Sequence, residues 1–358
     1  QVEIQSQLSL YDNITTADIQ ETLIRSASDL ISLDHPNYQY VAARLLLFAL
    51  RKSIYHKMYE SWSFEKQILY CVERKVYDPA ILTYYTNEEL HELDKAIDHD
   101  RDLKFTYAGL RQVYDKYLVQ DRSTGKVYET PQFMYMMISA TIFHAYPKET
   151  RLSYVKAYYD AISKHLINIP TPIMAGVRTP IRQYASCVLV ESDDSIDSIF
   201  ASDMAIGYYT SQRAGIGINA GRIRAMGSKI RDGEVKHTGV IPFLKKFEAT
   251  VRCCTQNGVR GGSATVHFPI WHAEIETIPK ATIKARALFL ALVKERAETG
   301  RIYIMNIDHC NTHSSFQDAI YMSNLCQEIT LPTKPLNHID DTEGEISLCI
   351  LSALNIGK

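Results

Sequence analysis

The chain has 358 residues, of which 46 % are hydrophobic and 22 % charged, and its formal net charge is −2. This is the composition of a globular protein of two or three domains, and the small charge argues against a surface for nucleic acid or an anionic membrane. Seven cysteines without a C-x-x-C spacing argue against a secreted disulfide scaffold. We therefore expect a cytoplasmic protein, without a signal peptide or a membrane span.

Helices are predicted along the first half of the chain. Thr15 precedes apolar residues at helical spacing and predicts a helix start, and another helix is expected over Tyr40–Ser53. Pro131 opens an apolar helix that runs to Tyr146, because proline suits the first helical turn. An amphipathic helix is predicted next, over Thr150–Lys164.

The pattern changes near Ile169, where prolines interrupt the helices and strand-like runs begin. A helix that ends at a left-handed Gly300 is expected over Ala281–Thr299. The predicted strands are Cys187–Glu191, Arg301–Ile307 and Ile346–Ile356. Alternating strands and helices predict an α/β sheet or barrel. A barrel needs more strands than this half supplies, and the first residue is not Met, so we expect a part of a larger enzyme.

Cys326 has polar neighbours that suggest chemistry. Asn324 and Glu328 each lie two residues away, and in an extended segment residues at this spacing point to the same side. A thiol, an amide and a carboxylate could then surround one small substrate. The alternative is a buried structural thiol, which is the usual role of an unbridged cysteine.

The remaining cysteines are less specific. Cys187 and Cys349 lie in apolar runs that are compatible with core packing or with a redox pair. We interpret Cys71 as a core residue, and Cys253, Cys254 and Cys310 as residues that pack or fix loops. His309 and His313 beside Cys310 do not complete a zinc site, so no metal site is predicted. The acidic segment 98–102 is interpreted as a solvated turn.

Six segments, in this order along the chain, resemble the large (α) subunit of class I ribonucleotide reductase, of the T-even bacteriophage type. They are Pro170–Met174, Ser211–Gly217, Asn257–Gly262, Asp308–His313, Ser323–Ile329 and Gly344–Cys349. The resemblance implies a mainly helical N-terminal domain followed by the first half of a ten-stranded α/β barrel. The implied divisions are a remnant of the nucleotide-binding cone (1–55), a helical domain (56–183) and the first part of the barrel (184–358).

The resemblance also assigns roles in the reduction of a ribonucleoside diphosphate. It implies that Cys326 carries a thiyl radical, that Glu328 is the general base, and that Asn324 orients the substrate. Cys187 and Cys349 would supply two electrons and close to a disulfide. The implied substrate contacts are Thr171, Ser186, Gly215, Asn324 and Glu328. Thr171 could instead be a turn residue between prolines, and the glycines around Gly215 alone are a weak phosphate-loop signal.

An allosteric effector site is implied as well. Arginine suits phosphate because its guanidinium group binds bidentately. The implied effector-binding residues are Asp194, Ser195, Ile196, Arg224 and Arg231. The alternative for the arginines is a surface basic cluster with Arg222 and Lys229. Segment 257–265 would be a glycine-rich loop near the effector. Gln20 stands where some family members have a histidine that senses dATP, so weak or absent inhibition by dATP is expected.

The resemblance implies several partners. A β subunit with its own metal would supply the radical, so this chain would bind no cofactor except nucleotide effectors (ATP or dNTP). The family has a loop between Glu276 and Ile278 that this sequence lacks. A second α polypeptide completing the barrel, an α homodimer, and thioredoxin or glutaredoxin as reductant are also expected, in the host cytoplasm if the protein is viral. Two alternatives remain open: a non-catalytic nucleotide-binding fragment that regulates an intact reductase, and another cysteine-radical enzyme.

Overall fold

The computed structural model describes residues 1–7, 9, 11–254, 261–275 and 284–357. The chain forms two compact units, one of residues 1–184 with 352–358 and the other of residues 185–351. Each unit has its own hydrophobic core. The predicted effector loop at 257–265 lies partly outside the described residues, and the direct junction after Glu276 lies entirely outside them.

The first unit is mainly helical, with short strands between the helices. Its helices are α1 (Val2–Gln7), α2 (Thr16–Asp29), α3 (Tyr38–Tyr55), α4 (Phe64–Glu73), α5 (Asn87–Asp94), α6 (Tyr107–Lys116), α7 (Pro131–Phe143), α8 (Lys148–Ser163) and α9 (Thr171–Gly176). Its first strands are β1 (Gln120–Asp121), β2 (Lys126–Val127) and β3 (Ile167–Asn168). The 3₁₀ turns are Pro79–Thr83 and His99–Lys104.

The helices predicted in this half are confirmed, with ends shifted by a few residues. The Thr15 hydroxyl accepts a hydrogen bond from the Asp18 amide at 3.1 Å, which caps α2. Pro131 occupies the first turn of α7, whose residues 131–140 are all buried. Cys71 is fully buried in the same core, as predicted.

A buried ion pair fixes α9 within this unit. Arg178 donates to the Glu129 carboxylate at 2.9 Å and to the Met174 carbonyl at 2.6 Å. Glu129 also accepts from the Val119 amide at 2.7 Å and from the Tyr77 hydroxyl. Both charged side chains are fully buried. A buried charge is tolerated only when its partners satisfy it, so this network holds the chain that follows α9 in one place.

Asp102 corrects the interpretation of the acidic segment as a solvated turn. Its side chain is fully buried, and it accepts a hydrogen bond from Gln132 at 2.9 Å. Burial raises the pKa of Asp102 to about 7, although Gln132 and Arg51, whose guanidinium lies 3.6 Å away, oppose the rise. The sequence pattern was misleading because only some of the charged residues in the segment face solvent.

The second unit alternates strands and helices. Its elements are β4 (Cys187–Glu191), α10 (Ile196–Ser211), β5 (Gly215–Asn219), β6 (Lys229–Ile230), β7 (Val235–Lys236), α11 (Ile241–Cys253), β8 (Ala264–His267), α12 (Ala285–Thr299), α13 (Ile307–Thr312) and β9 (Ser347–Cys349). Strand β10 (Ala353–Leu354) follows along the chain but belongs to the first unit, where it pairs with β3. A further 3₁₀ turn covers Arg231–Gly233.

A four-stranded sheet in the order β8–β5–β4–β9 organises the second unit. Strands β4, β5 and β8 are parallel, and β9 runs antiparallel to β4. Strands β4 and β5 are buried along their whole length, as apolar strands of a covered parallel sheet should be. Helix α10 connects β4 to β5 and packs on both strands and on α11.

Two strand predictions in this half are wrong. Residues 301–306 form no regular element, and Tyr303 and Ile304 are exposed, so this apolar run has no neighbouring strand in the described residues. The run predicted as one strand over Ile346–Ile356 divides into β9 and β10, which belong to different units. Gly300 does end α12 in the left-handed conformation, with φ at 67°.

Candidate active site

Two cysteines predicted as a redox pair lie opposite each other in the sheet. Cys187 begins β4 and Cys349 ends β9, and the register of the two antiparallel strands pairs them directly. Residues that face each other in an antiparallel pair have Cα atoms about 4.5–5.5 Å apart. Disulfides usually join Cα atoms 4.4–6.8 Å apart, so the strand pairing brings the two sulfurs within reach of a disulfide.

The electrostatic environment keeps these two thiols protonated. Burial raises the pKa of Cys187, and the nearby Glu328 carboxylate and the sulfurs of Cys326 and Cys349 raise it further. The Asn324 amide opposes this rise by its interaction with the sulfur. Burial followed by Glu328 also raises the pKa of Cys349. The five residues predicted as catalytic therefore lie close enough to act on one another.

Cys326 lies near the tip of a tight loop. The loop, Ser323–Thr330, is closed by an antiparallel bridge between its two end residues. Gln327 adopts a left-handed conformation with φ at 64°, which turns the chain at the tip. Cys326 and Glu328 are exposed, so the interpretation of Cys326 as a buried structural thiol is not what the structure has. We call this segment the cysteine loop.

The side chain of Asn324 bonds to the backbone of the cysteine loop through its oxygen atom. Its Oδ1 accepts a hydrogen bond from the Ile329 amide at 3.1 Å, which fixes the side chain across the loop. The residue is fully buried, and its Nδ2 makes no hydrogen bond of normal geometry within the described part of the chain, although it lies near enough to the Cys187 sulfur to lower the pKa of that thiol. A buried amide donor without a good acceptor costs free energy, which is consistent with the predicted role of Asn324 in binding substrate.

The glycines of β5 make room for the cysteine loop. A Cβ atom at Gly217 would lie 2.1 Å from the Ser323 carbonyl oxygen, and one at Gly215 would lie 2.5 Å from the Leu325 side chain. The protein's own loop thus accounts for the glycine at Gly215, and a contact of this residue with substrate stays a prediction. Thr265, on β8, donates to the Leu325 carbonyl at 2.6 Å and fixes the loop from the other side.

His267 is a further residue of the site that sequence reasoning missed. It ends β8 and is buried, and its Nε2 lies 3.3 Å from the Ser323 amide nitrogen as an acceptor. Burial lowers the pKa of His267, so the imidazole stays neutral and able to accept. A polar residue at the end of an apolar strand is the only signal in the sequence that could have identified it.

The predicted substrate contacts are divided between the two units. Ser186 lies beside Cys187, where its amide donates to the Cys349 carbonyl and its carbonyl accepts from the Gly215 amide, both at 2.8 Å. Thr171 belongs to the first unit, where it opens α9 and its hydroxyl lies 3.3 Å from the Tyr117 hydroxyl. The turn between prolines that was its alternative is thus the first turn of a helix.

The predicted effector residues lie at the start of α10 and in the segments after β5. Asp194 binds the amide of Arg224 at 2.7 Å and its guanidinium at 2.6 Å, so these two predicted ligands are paired with each other. Ser195 caps α10 by accepting from the Ser198 amide, and Ile196 is exposed. Arg231 opens the 3₁₀ turn between β6 and β7 with a positive φ.

The interpretation of Cys253 as a packing residue is wrong. Its side chain is exposed at the last position of α11, whereas Cys254 and Cys310 are partly buried. The buried residues of α11 end at Val251, two positions before Cys253. Among the described residues, no helix is long and apolar enough to cross a membrane.

Models of two protein-family domains match the chain. The model described as "Ribonucleotide reductase, all-alpha domain" matches residues 103–182, and that described as "Ribonucleotide reductase, barrel domain" matches residues 185–281 and 276–358. These matches confirm the predicted fold class, a helical domain followed by part of an α/β barrel. The boundary between the two matches coincides with the boundary between the two compact units.

Curated relatives are similar over nearly the whole chain. The ribonucleoside-diphosphate reductase subunit alpha of Haemophilus influenzae is 47 % identical over 100 % of this chain and 57 % of its own length. The ribonucleoside-diphosphate reductase 1 subunit alpha of Escherichia coli is 47 % identical over 94 % of this chain and 54 % of its own length. The ribonucleoside-diphosphate reductase subunit alpha of Enterobacteria phage T4 is 42 % identical over 96 % of this chain and 55 % of its own length. The chain spans about half the length of these relatives.

Proposed function

Because the chain belongs to the ribonucleotide reductase large-subunit family, we propose that it supplies the reducing site of a class I ribonucleoside-diphosphate reductase. The substrate would be a ribonucleoside diphosphate and the product its 2′-deoxy form. The observation that carries the proposal is the pairing of Cys187 with Cys349 next to the cysteine loop. This arrangement brings a dithiol, an amide and a carboxylate to one place.

Each residue would have a distinct role in the reaction. The Cys326 thiyl radical takes the hydrogen atom from C3′ of the ribose, and Glu328 accepts the proton of the 3′-hydroxyl. The 2′-hydroxyl then leaves as water after taking a proton from the dithiol. Cys187 and Cys349 supply two electrons in all, deliver their second hydrogen to C2′ and become a disulfide, while Cys326 returns its hydrogen atom to C3′ and Glu328 returns its proton to the 3′-oxygen. The ribose C–O bond is replaced by C–H, so atoms and electrons balance.

Asn324 would position the substrate in this scheme. Its Oδ1 is held by the Ile329 amide, so Nδ2, which faces the Cys187 sulfur, would donate to a ribose hydroxyl next to the dithiol. The raised pKa values of Cys187 and Cys349 support the scheme, because the pair must deliver protons as well as electrons. The disulfide would be reduced again by thiol exchange with thioredoxin or glutaredoxin.

Partners complete the proposal. A metal-containing β subunit would generate the radical, and a second α polypeptide would supply the rest of the barrel. The assembly would be cytoplasmic and would contain two copies of this chain. Nucleotide effectors would bind near Asp194 and Arg224, where phosphate would compete with the Asp194 carboxylate for the guanidinium group. Gln20 donates to the Leu45 carbonyl at 3.1 Å, and weak inhibition by dATP stays a prediction.

The test replaces the sulfur that would carry the radical. Cys326→Ser in the complex with the β subunit and the complementing α polypeptide should abolish deoxynucleotide formation, because a serine O–H bond is too strong to be converted to the radical that would take the hydrogen atom from C3′. Binding of a dNTP effector should be unchanged, and the partly buried Cys310→Ser is the matched control that should keep turnover. Turnover by the Cys326→Ser complex would contradict the proposal.

A non-catalytic fragment that binds nucleotides is the second candidate. It is favoured by the effector residues, which the second unit holds without residues from the first. Effector binding without turnover, with every candidate partner added, would support this alternative.

A further inference from the structure

Cys253 and Cys254 form a second, adjacent dithiol in the second unit. Neighbouring residues of an α-helix point about 100° apart, which normally separates their side chains. Cys254 lies just past the end of α11 and leaves the helical conformation, with φ at −89° and ψ at 68°. The turn brings the two sulfurs to 3.9 Å from each other. The described cysteines thus include a close thiol pair outside the proposed reducing site.

Both sulfurs are accessible. Cys253 is exposed, and its thiol donates to the Thr250 carbonyl at 3.3 Å. Cys254 is partly buried and lines an open groove of about 680 Å³ along α10. Its sulfur packs towards Gly207 on that helix, where a Cβ atom would lie 3.5 Å away. A small molecule can therefore reach the pair from solvent without entering the sheet.

The protonation and the spacing of the two thiols disfavour reaction with a peroxide or a disulfide. Burial raises the pKa of Cys254, and the Cys253 thiol and the Asp203 carboxylate raise it further. A protonated thiol is a poor nucleophile, which disfavours rapid attack on a peroxide or a disulfide. Adjacent Cα atoms are 3.8 Å apart, below the usual 4.4–6.8 Å of disulfides, so direct closure of the pair would be strained. A bridging atom between the sulfurs removes this strain.

We propose that Cys253 and Cys254 form a chelating site for trivalent arsenicals. An organoarsenic(III) oxide reacts with two neutral thiols: two As–S bonds form, the As–O bonds break, and the oxygen leaves as water with both thiol protons. Arsenic stays trivalent, so no oxidant or reductant is needed. The second sulfur binds intramolecularly at high effective concentration, which distinguishes a dithiol from a single thiol. This site does not depend on the proposed reductase chemistry.

The probe is phenylarsine oxide added to the reduced chain, followed by tryptic digestion and mass spectrometry. Cleavage after Arg252 and at residue 260 places Cys253 and Cys254 together in one peptide, without other cysteines. We expect this peptide to gain one phenylarsenic group and lose two hydrogens. Dimercaptopropanol should remove the group, whereas a monothiol at the same thiol concentration should not.

Matched variants make the result decisive. Cys253→Ser changes an exposed side chain and should lower the apparent affinity of this peptide for the phenylarsenic group about 100-fold or more. Cys310→Ser should bind as the parent chain does. Circular dichroism of each variant checks its folding. The bound phenylarsenic group should also protect both thiols of the parent peptide from alkylation by iodoacetamide, which measures binding a second way. An unmodified peptide 253–260, or equal binding by Cys253→Ser, would overturn the proposal.

Discussion

Gly217 lies where β5 meets the cysteine loop, at a position that has no room for a Cβ atom. The sequence marks it only as part of a glycine-rich run, which is a weak signal by itself. The structure gives the physical reason, because the Ser323 carbonyl fills the space that a side chain would need. No local pattern could have predicted this contact, since the two segments are far apart in the chain.

Gly217→Ala should move the cysteine loop and destabilise the second unit. Overpacking of this kind usually costs about 1–3 kcal/mol in the free energy of unfolding. Urea unfolding followed by circular dichroism measures the change. Gly261→Ala is the control, because a Cβ there meets no atom of the described residues within 4 Å. Equal unfolding midpoints for the two variants would contradict the contact.

Asp102 predicts a dependence of stability on pH in the first unit. Its pKa is about 7 in the folded chain and 3.8 in the unfolded one, so the folded state binds more protons between these values. Stability from this group therefore falls as pH rises through that window. His99 has its pKa lowered to about 4 by burial and by Arg51, and its contribution has the opposite slope.

Comparison of variants isolates the Asp102 contribution. Relative to the parent chain, Asp102→Asn should gain stability as pH rises from 4 to 8, by about 2–4 kcal/mol for a fully buried carboxylate. Urea unfolding at several pH values measures the difference in unfolding free energy between the two chains. The pH dependence that His99 contributes cancels in this difference, because both chains contain His99. A difference that does not change with pH would show that Asp102 is ionised throughout this range.

At the scale of elements, helix ends and buried strands were the features most predictable from sequence. Thr15 and Pro131 predicted the starts of α2 and α7 because capping and proline geometry are local effects. Strand β4 was predicted with its bounds because its run of apolar residues is buried on both faces. Residues 301–306 have a similar pattern but no pairing strand among the described residues, so the local signal failed there.

The buried ion pair of Arg178 with Glu129 should contribute more to the free energy of unfolding than an exposed ion pair does. Arg178→Met leaves the Glu129 carboxylate buried without its cation, which should cost about 3–5 kcal/mol. The exposed pair of Lys57 with Glu60 is the control, and Lys57→Ala should cost less than about 1 kcal/mol. Both values come from urea unfolding, and similar losses for the two variants would contradict a special role for the buried pair.

At the scale of the whole molecule, the family and the order of its two domains were evident in the sequence motifs, and the comparisons confirm both. The pairing of Cys187 with Cys349 could not be derived locally, because the register of two distant strands depends on the folded sheet. The roles of these cysteines, of the effector residues and of Thr171 stay predictions. The chemistry they imply can be tested in one turnover.

The most direct measurement is a single turnover without external reductant. The chain is combined with the β subunit and the complementing α polypeptide, and a ribonucleoside diphosphate is added. Deoxynucleotide and a disulfide between Cys187 and Cys349 should form in equal amounts, as quantified by chromatography and by peptide mass spectrometry under non-reducing conditions. Deoxynucleotide formed while Cys187 and Cys349 remain thiols would contradict the account.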